Sequence, residues 1–235
     1  MDADGHSMSA LEEAVTWLND PLNWSGPQGI TARVGEHLGM SAVAVLLAAA
    51  VALPLGVWLG HRRRGGALVV VAANTSRALP TFALLLIFAS TSIGFGNRST
   101  VLAAAIFAIP PILTHAHSGL LQVDAAARDA ARGMGMSGRR SLALVEIPLA
   151  LPLIAAGLRT AVVQVIATVP LAALVGGGGL GTFIVVGFGT RRFGEVLAGG
   201  LLVAVLALGA EVLLSTAQRL ATPAPVRAHL AGRRG

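Results

Sequence analysis

An all-α, polytopic integral membrane protein with about five transmembrane helices is the architecture this sequence specifies, and three observations carry it. The 235 residues are 54% hydrophobic and only 12% charged, with a mean hydropathy of +0.75, too much apolar surface for a water-soluble domain. The apolar residues fall in runs of about twenty, the length that crosses the hydrocarbon as a helix. All 17 basic residues are arginine, and most of them stand beside those runs, so the net charge of +6 points to a lipid bilayer and away from nucleic acid.

Residues 1–37 carry six acids against one base, Arg33, the reverse of a signal-peptide leader. They are expected to form an uncleaved extracytoplasmic segment in which Leu11–Leu18 makes a short helix. A transmembrane domain is expected over 38–218 and a cytoplasmic tail over 219–235. The first span, Gly39–Gly60, meets His61-Arg62-Arg63-Arg64, which marks that end as cytoplasmic. The second apolar run, Ala67–Ser90, is interrupted by Asn74-Thr75-Ser76-Arg77 and Pro80, so it is either one kinked span or a span with a broken centre. Val101–Leu121 is the third span, with Pro110-Pro111 in its middle, Leu149–Val175 the fourth and Val196–Ala217 the fifth. Eleven arginines then lie on the inside against four on the outside, which predicts an external N-terminus and a cytoplasmic C-terminus.

Between the third and fourth spans lies a polar island, the cytoplasmic loop 122–148. Asp124, Arg128 and Arg132 fall at i, i+4 spacing among alanines, which predicts a short helix with a charged stripe and Val123, Ala127, Ala130 and Met134 on the other face. Gly133, Gly135 and Gly138 with Ser137 break it, Arg139–Ile147 restarts it, and Pro148 and Pro152 mark entry into the next span. An alanine-rich helix presses its backbone close to a partner while charges orient it, which is how a docking element is built; a solvated linker is the alternative.

Two arginines stand inside apolar runs, where a charge is costly unless paired or hydrated. Arg77 and Arg159 each lie roughly 15 Å from the cytoplasmic face at ~1.5 Å per residue. Glu211 reads as the lone acid well inside a span. Arg159, next to the small residues Ala155-Ala156-Gly157, is expected to pair with it. Arg77, beside Asn74 and Pro80, is the expected pathway residue. Gly176–Gly181, GGGGLG, formally fits a dinucleotide fingerprint, but no strand precedes it, so Gly178, Gly179 and Gly181 mark either helix termination or tight backbone packing at the external mouth. His115 and His117, two apart, point in different directions and do not share a metal. Trp17, Trp24 and Trp58 fit interfacial anchors. There is no cysteine, and without lysine the chain holds no P-loop, so ATP-driven work would need a second protein.

The loop resembles the signature loop of permease subunits of binding-protein-dependent ABC importers, in which Glu-Ala-Ala is followed by Gly and then Ile-x-Leu-Pro. Here it reads Asp129-Ala130-Ala131, Gly135 and Val145-x-Ile147-Pro148, with conservative exchanges. LPTFALLL after Arg77, AIPPILTHAHSG, AARGMGMSGRR and the stretch from EIPLALP to GGGGLGTFI extend the resemblance to the osmoprotectant branch, importers of glycine betaine, carnitine, choline or proline. The resemblance implies the type I importer fold and a transport subunit rather than an enzyme. It implies ATPase partners docked at 122–148 that hold the ATP and magnesium, a second permease chain, a separate extracytoplasmic binding protein, and no cofactor in this chain. A permease for methionine or another small solute, or a channel or carrier independent of ATP, are the other readings.

Overall fold

The computed structural model describes residues 9–78 and 80–221, without the side chains of 75–78 and 221. Every regular element among them is a helix. Helix α1 (Ala10–Asn19) opens on a capping box, with Ser9 Oγ accepting the Glu12 N–H at 3.3 Å and Glu12 accepting the Ser9 N–H at 2.8 Å. Pro21 then starts a single 3-10 turn.

Helix α2 (Ile30–His61) begins nine residues before the expected first span. Its early turns hold Arg33, Glu36 and His37, which lower the local hydropathy yet stay helical because their side chains are bonded (below). At ~1.5 Å per residue the 32 residues extend about 48 Å, well beyond a hydrocarbon thickness of about 30 Å.

The second apolar run is divided. Helix α3 (Gly66–Ala78) and helix α4 (Thr81–Ala89) are 13 and 9 residues long, each too short to cross alone, and Pro80, which lacks an N–H, is not helical. Among the described residues, four helical runs are long and apolar enough to cross a membrane: Ile30–His61, Asn97–Leu121, Gly138–Val175 and Phe193–Leu220.

Helix α5 (Asn97–Leu121) keeps Pro110 and Pro111 within it. Helix α6 (Ala125–Gly133) is capped by Asp124, whose Oδ1 accepts the Ala126 N–H at 2.9 Å. Gly135 takes φ +75°, a turn that a side chain would strain. Helix α7 (Gly138–Ser141) then runs without a break through a π turn, Leu142–Glu146, into helix α8 (Ile147–Thr168). The expected entry at Pro148 is therefore continuous helix. The proline ring would press on the carbonyl four residues back, and that residue, Leu144, lies inside the widened π turn. A 3-10 stretch, Val169–Val175, ends at Gly176 with φ +71°, and helices α9 (Gly181–Gly189) and α10 (Phe193–Ala221) complete the described residues.

The chain forms two compact units. One comprises Met1–Val43, Thr81–Ala104 and Val165–Leu208; its cores are Leu85, Ala89, Ala103 and Val175, and Ile30, Leu180 and Phe183, with Trp17 edge-on to Phe183 at 5.0 Å. The other comprises Ala44–Pro80, Ala105–Gln164 and Gly209–Gly235, with a core of Ala116, Leu120, Val123, Ala150 and Ile154. In this second unit glycines let backbones close in. A Cβ on Gly56 would come within 2.8 Å of Ala116 Cβ, and one on Gly60 within 2.6 Å of Leu120 Cβ, so α2 and α5 cross there at small-residue distance. Gly157 likewise abuts the Pro111 carbonyl and His115, so this small residue beside Arg159 admits α5 closely.

Candidate functional site

Two polar clusters stand out, one in each unit. In the first, side chains of α2 and α5 hold the backbone of the glycine segment. Glu36 accepts the Gly179 N–H at 2.9 Å, an Asn97 Nδ2 hydrogen at 3.3 Å and Arg33 Nη1 at 2.8 Å. Asn97 Oδ1 accepts the Gly178 N–H at 2.8 Å. His37 is fully buried; its Nδ1 faces the Leu180 N–H at 3.4 Å, so that nitrogen is the acceptor, and Nε2–H donates to the Ile166 carbonyl at 3.0 Å. Gly179 has φ +82°, a Cβ on Gly178 would fall within the Glu36 carboxylate, and one on Gly181 would strike the Pro170 backbone. Tight backbone packing therefore describes this segment better than simple helix termination. A cavity of about 560 Å³ beside it is lined by Glu36, Arg33, Asn97, Arg98, Phe95 and Gly176–Gly178.

The second cluster gathers on Glu146, the last residue of the π turn, which is 1% exposed. Its Oε2 lies 2.9 Å from His61 Nδ1 and 3.6 Å from Arg128 Nη2, and its Oε1 accepts from Ser141 Oγ at 3.2 Å. Arg128 Nη2 also donates to the His61 carbonyl at 3.1 Å. The inward side of α6 is therefore set by this ion pair: Arg128 and Ala131 are buried, whereas Ala130 is exposed and Met134 is 70% exposed. An alanine contributes little by burial, and a counter-ion 18 positions along the chain outweighs it, so the arginine turns inward. The outer surface presents Asp129 and Arg132, 3.4 Å apart, with Ala130, Gly133 and an open Gly135.

The remaining expected residues are more scattered. Pro148 is exposed at the start of α8, Asn74 is exposed on α3, and the side chain of Arg77 lies outside the described residues. Arg159 Nε and Glu211 Oε1 are 3.4 Å apart. Glu211 is not alone as an acid in the long helical runs, since Glu36, Glu146 and Glu195 are there too. His115 and His117 bond separate carbonyls, Pro111 at 2.8 Å and Arg64 at 3.1 Å. Trp58 lies under the Arg62 guanidinium, 4.9 Å from the ring centroid. Glu36, His37, Asn97, His61 and Glu146 carry the two clusters and were not singled out by motif. For Glu146 a signal existed: an acid flanked on both sides by apolar residues, LALVEIPLA, is expected to be buried and paired.

Residues 52–224 match the family model described as the binding-protein-dependent transport system inner membrane component. The chain is 35% identical over 191 residues to the glycine betaine/carnitine/choline transport system permease protein OpuCB of Bacillus subtilis (strain 168), covering 81% of this chain and 88% of that protein. It is 37% identical over 189 residues to the carnitine transport permease protein OpuCD of Listeria monocytogenes serotype 1/2a (strain 10403S), covering 80% and 84%. Among solved structures, a chain of the MetNI methionine ABC transporter in an inward-facing conformation aligns with a TM-score of 0.70 at 21% identity, covering 83% of this chain and 96% of that one, a likeness of fold. A family model matched over most of the sequence, and relatives this similar over four fifths of it, place the chain in one group: it belongs to the inner membrane components of binding-protein-dependent transport systems, the permease subunits of ABC importers.

Proposed function

We infer that this chain is the translocation subunit of an ATP-driven importer for compatible solutes of the glycine betaine, carnitine, choline or proline kind, working by alternating access. The observation that carries the coupling part is the build of α6, anchored inward by Arg128 and presenting Asp129, Ala130 and Arg132 outward beside the open Gly135. Such a surface accepts the close approach of a partner's backbone while its charges fix orientation. The glycine betaine, carnitine and choline named for the relatives support the solute class. In this reading ATPase subunits dock at 122–148 and hold the ATP and magnesium, and two permease chains enclose the pathway. A binding protein delivers solute from outside, and the N-terminal residues 1–37 face that side. Domain boundaries follow the same scheme, with the spans over 38–218 and a cytoplasmic tail over 219–235. The glycine segment with Gly178, Gly179 and Gly181, the polar Asn74, Arg77 and Pro80 region, and the Arg159–Glu211 pair line or brace the pathway.

The test is reconstitution with ATPase and binding protein. Asp129→Lys alters only an exposed charge, and Gly135→Trp puts bulk at an open turn; each should lower solute uptake per ATP hydrolysed roughly tenfold, a usual coupling energy, while the chain still inserts. Wild-type ratios in both variants would remove α6 as the docking element.

A further inference from the structure

Beside the docking surface lies a buried acid that the transport reading leaves without a role. We propose that Glu146 is the positioning residue through which movement of α6 reaches the transmembrane helices, its carboxylate tying Arg128 of α6 to the end of α2 and the start of α8. This rests on the reading of α6 as the docking helix.

The covalent route from α6 to α8 is soft. It passes through Gly133, Gly135 at φ +75° and Gly138, and a Cβ at either of the first two would meet nothing within 4 Å among the described residues. A push on α6 is absorbed there by backbone rotation. The non-covalent route is stiff. Four helical elements converge on one carboxylate: His61 closes α2, Arg128 sits midway along α6, Ser141 closes α7, and Glu146 closes the π turn that leads into α8. The side chains of Arg128 and Glu146 are 7% and 2% exposed. A carboxylate this deeply buried is strongly disfavoured without its counter-ion, so Arg128 cannot swing away and leave Glu146 behind. The His61 carbonyl shares the same guanidinium, which brings the end of α2 into the tie. Arg128 Nη1 is buried with no hydrogen-bond partner among the described residues, leaving the fork a donor for the carboxylate as α6 tilts. A tie with two arrangements is what a stepwise transmission needs.

The experiment uses the complete complex in proteoliposomes, with ATP hydrolysis and solute uptake read on the same vesicles. Glu146→Gln keeps the shape and removes the charge; uptake per ATP hydrolysed should fall roughly tenfold, the scale of a single coupling contact. A residue that only supports folding would lower uptake and hydrolysis together by reducing assembled complex, with the ratio fixed. An unchanged ratio overturns the proposal. Should Glu146→Gln fail to assemble, the paired variant Arg128→Met with Glu146→Leu strands no buried ion and is read in its place, with the same fall expected and an unchanged ratio again overturning it. Gly135→Trp runs alongside: a wild-type ratio there refutes the docking reading itself, whereas uncoupling there with a wild-type ratio at Glu146 refutes only the role of Glu146.

Discussion

Gly178→Ala should unseat the glycine segment and lower the stability of the chain by about 3 kcal/mol. The added methyl would occupy the position of the Glu36 carboxylate. If Glu36 moves aside, the Gly179 N–H loses its acceptor, at about 1–3 kcal/mol for a buried donor left unmade, and the crowding itself costs about 1–3 kcal/mol. At roughly 2–4 °C per kcal/mol for a chain of this size, the melting temperature in detergent should fall by about 6–12 °C. The cause is specific, and so is the cure. Shortening Glu36 to Ala in the Gly178→Ala background removes the clash, so the double variant should lose less than the sum of the two singles. Strict additivity would disprove a direct contact between the two positions.

Arg159→Ala should reduce the amount of folded, inserted protein sharply. The substitution leaves Glu211, 3.4 Å away in the native chain, as an unpaired acid in an apolar helix, and a lone charge in a membrane helix costs up to about 3 kcal/mol on insertion scales. Glu211→Gln neutralises that acid, so the pair Arg159→Ala with Glu211→Gln should recover part of the lost yield. Fluorescence-detected size-exclusion chromatography of tagged variants reads it directly. Equal yields with and without Glu211→Gln would mean that Glu211 does not partner Arg159.

What could be read from the sequence divides along the range of the forces involved. Hydropathy is local, so Gly39–Gly60, Val101–Leu121 and Val196–Ala217 each fall inside helices that the chain forms, and the breakers Pro80 and Gly135 interrupt helices where expected. Cap chemistry is local too, and Asp124 caps α6. The clusters are not local. Glu36 meets the Gly179 N–H 143 positions away, and Arg128 meets the His61 carbonyl 67 positions away, so neither partner is visible in a window of the chain. This is also why α2 begins earlier than hydropathy suggests. Glu36 and His37 look like the end of a membrane helix until their distant acceptors and donors are known. The periodicity of α6 separates a charged stripe from an apolar one but does not say which faces inward, because the buried counter-ion that draws Arg128 in lies 18 positions away.

The grip on the glycine segment has a meaning for descent. Glu36, Asn97 and His37 touch only main-chain N–H groups of residues 178–180, so they read backbone path and are blind to side-chain identity. Yet the carboxylate fills the space where a side chain at 178 would begin. Positions 36 and 178 are thus joined as an ordered pair in inheritance: a lineage can leave glycine at 178 only after residue 36 has already become shorter. Natural selection meets a one-way door here, opened from the helix and closed from the loop.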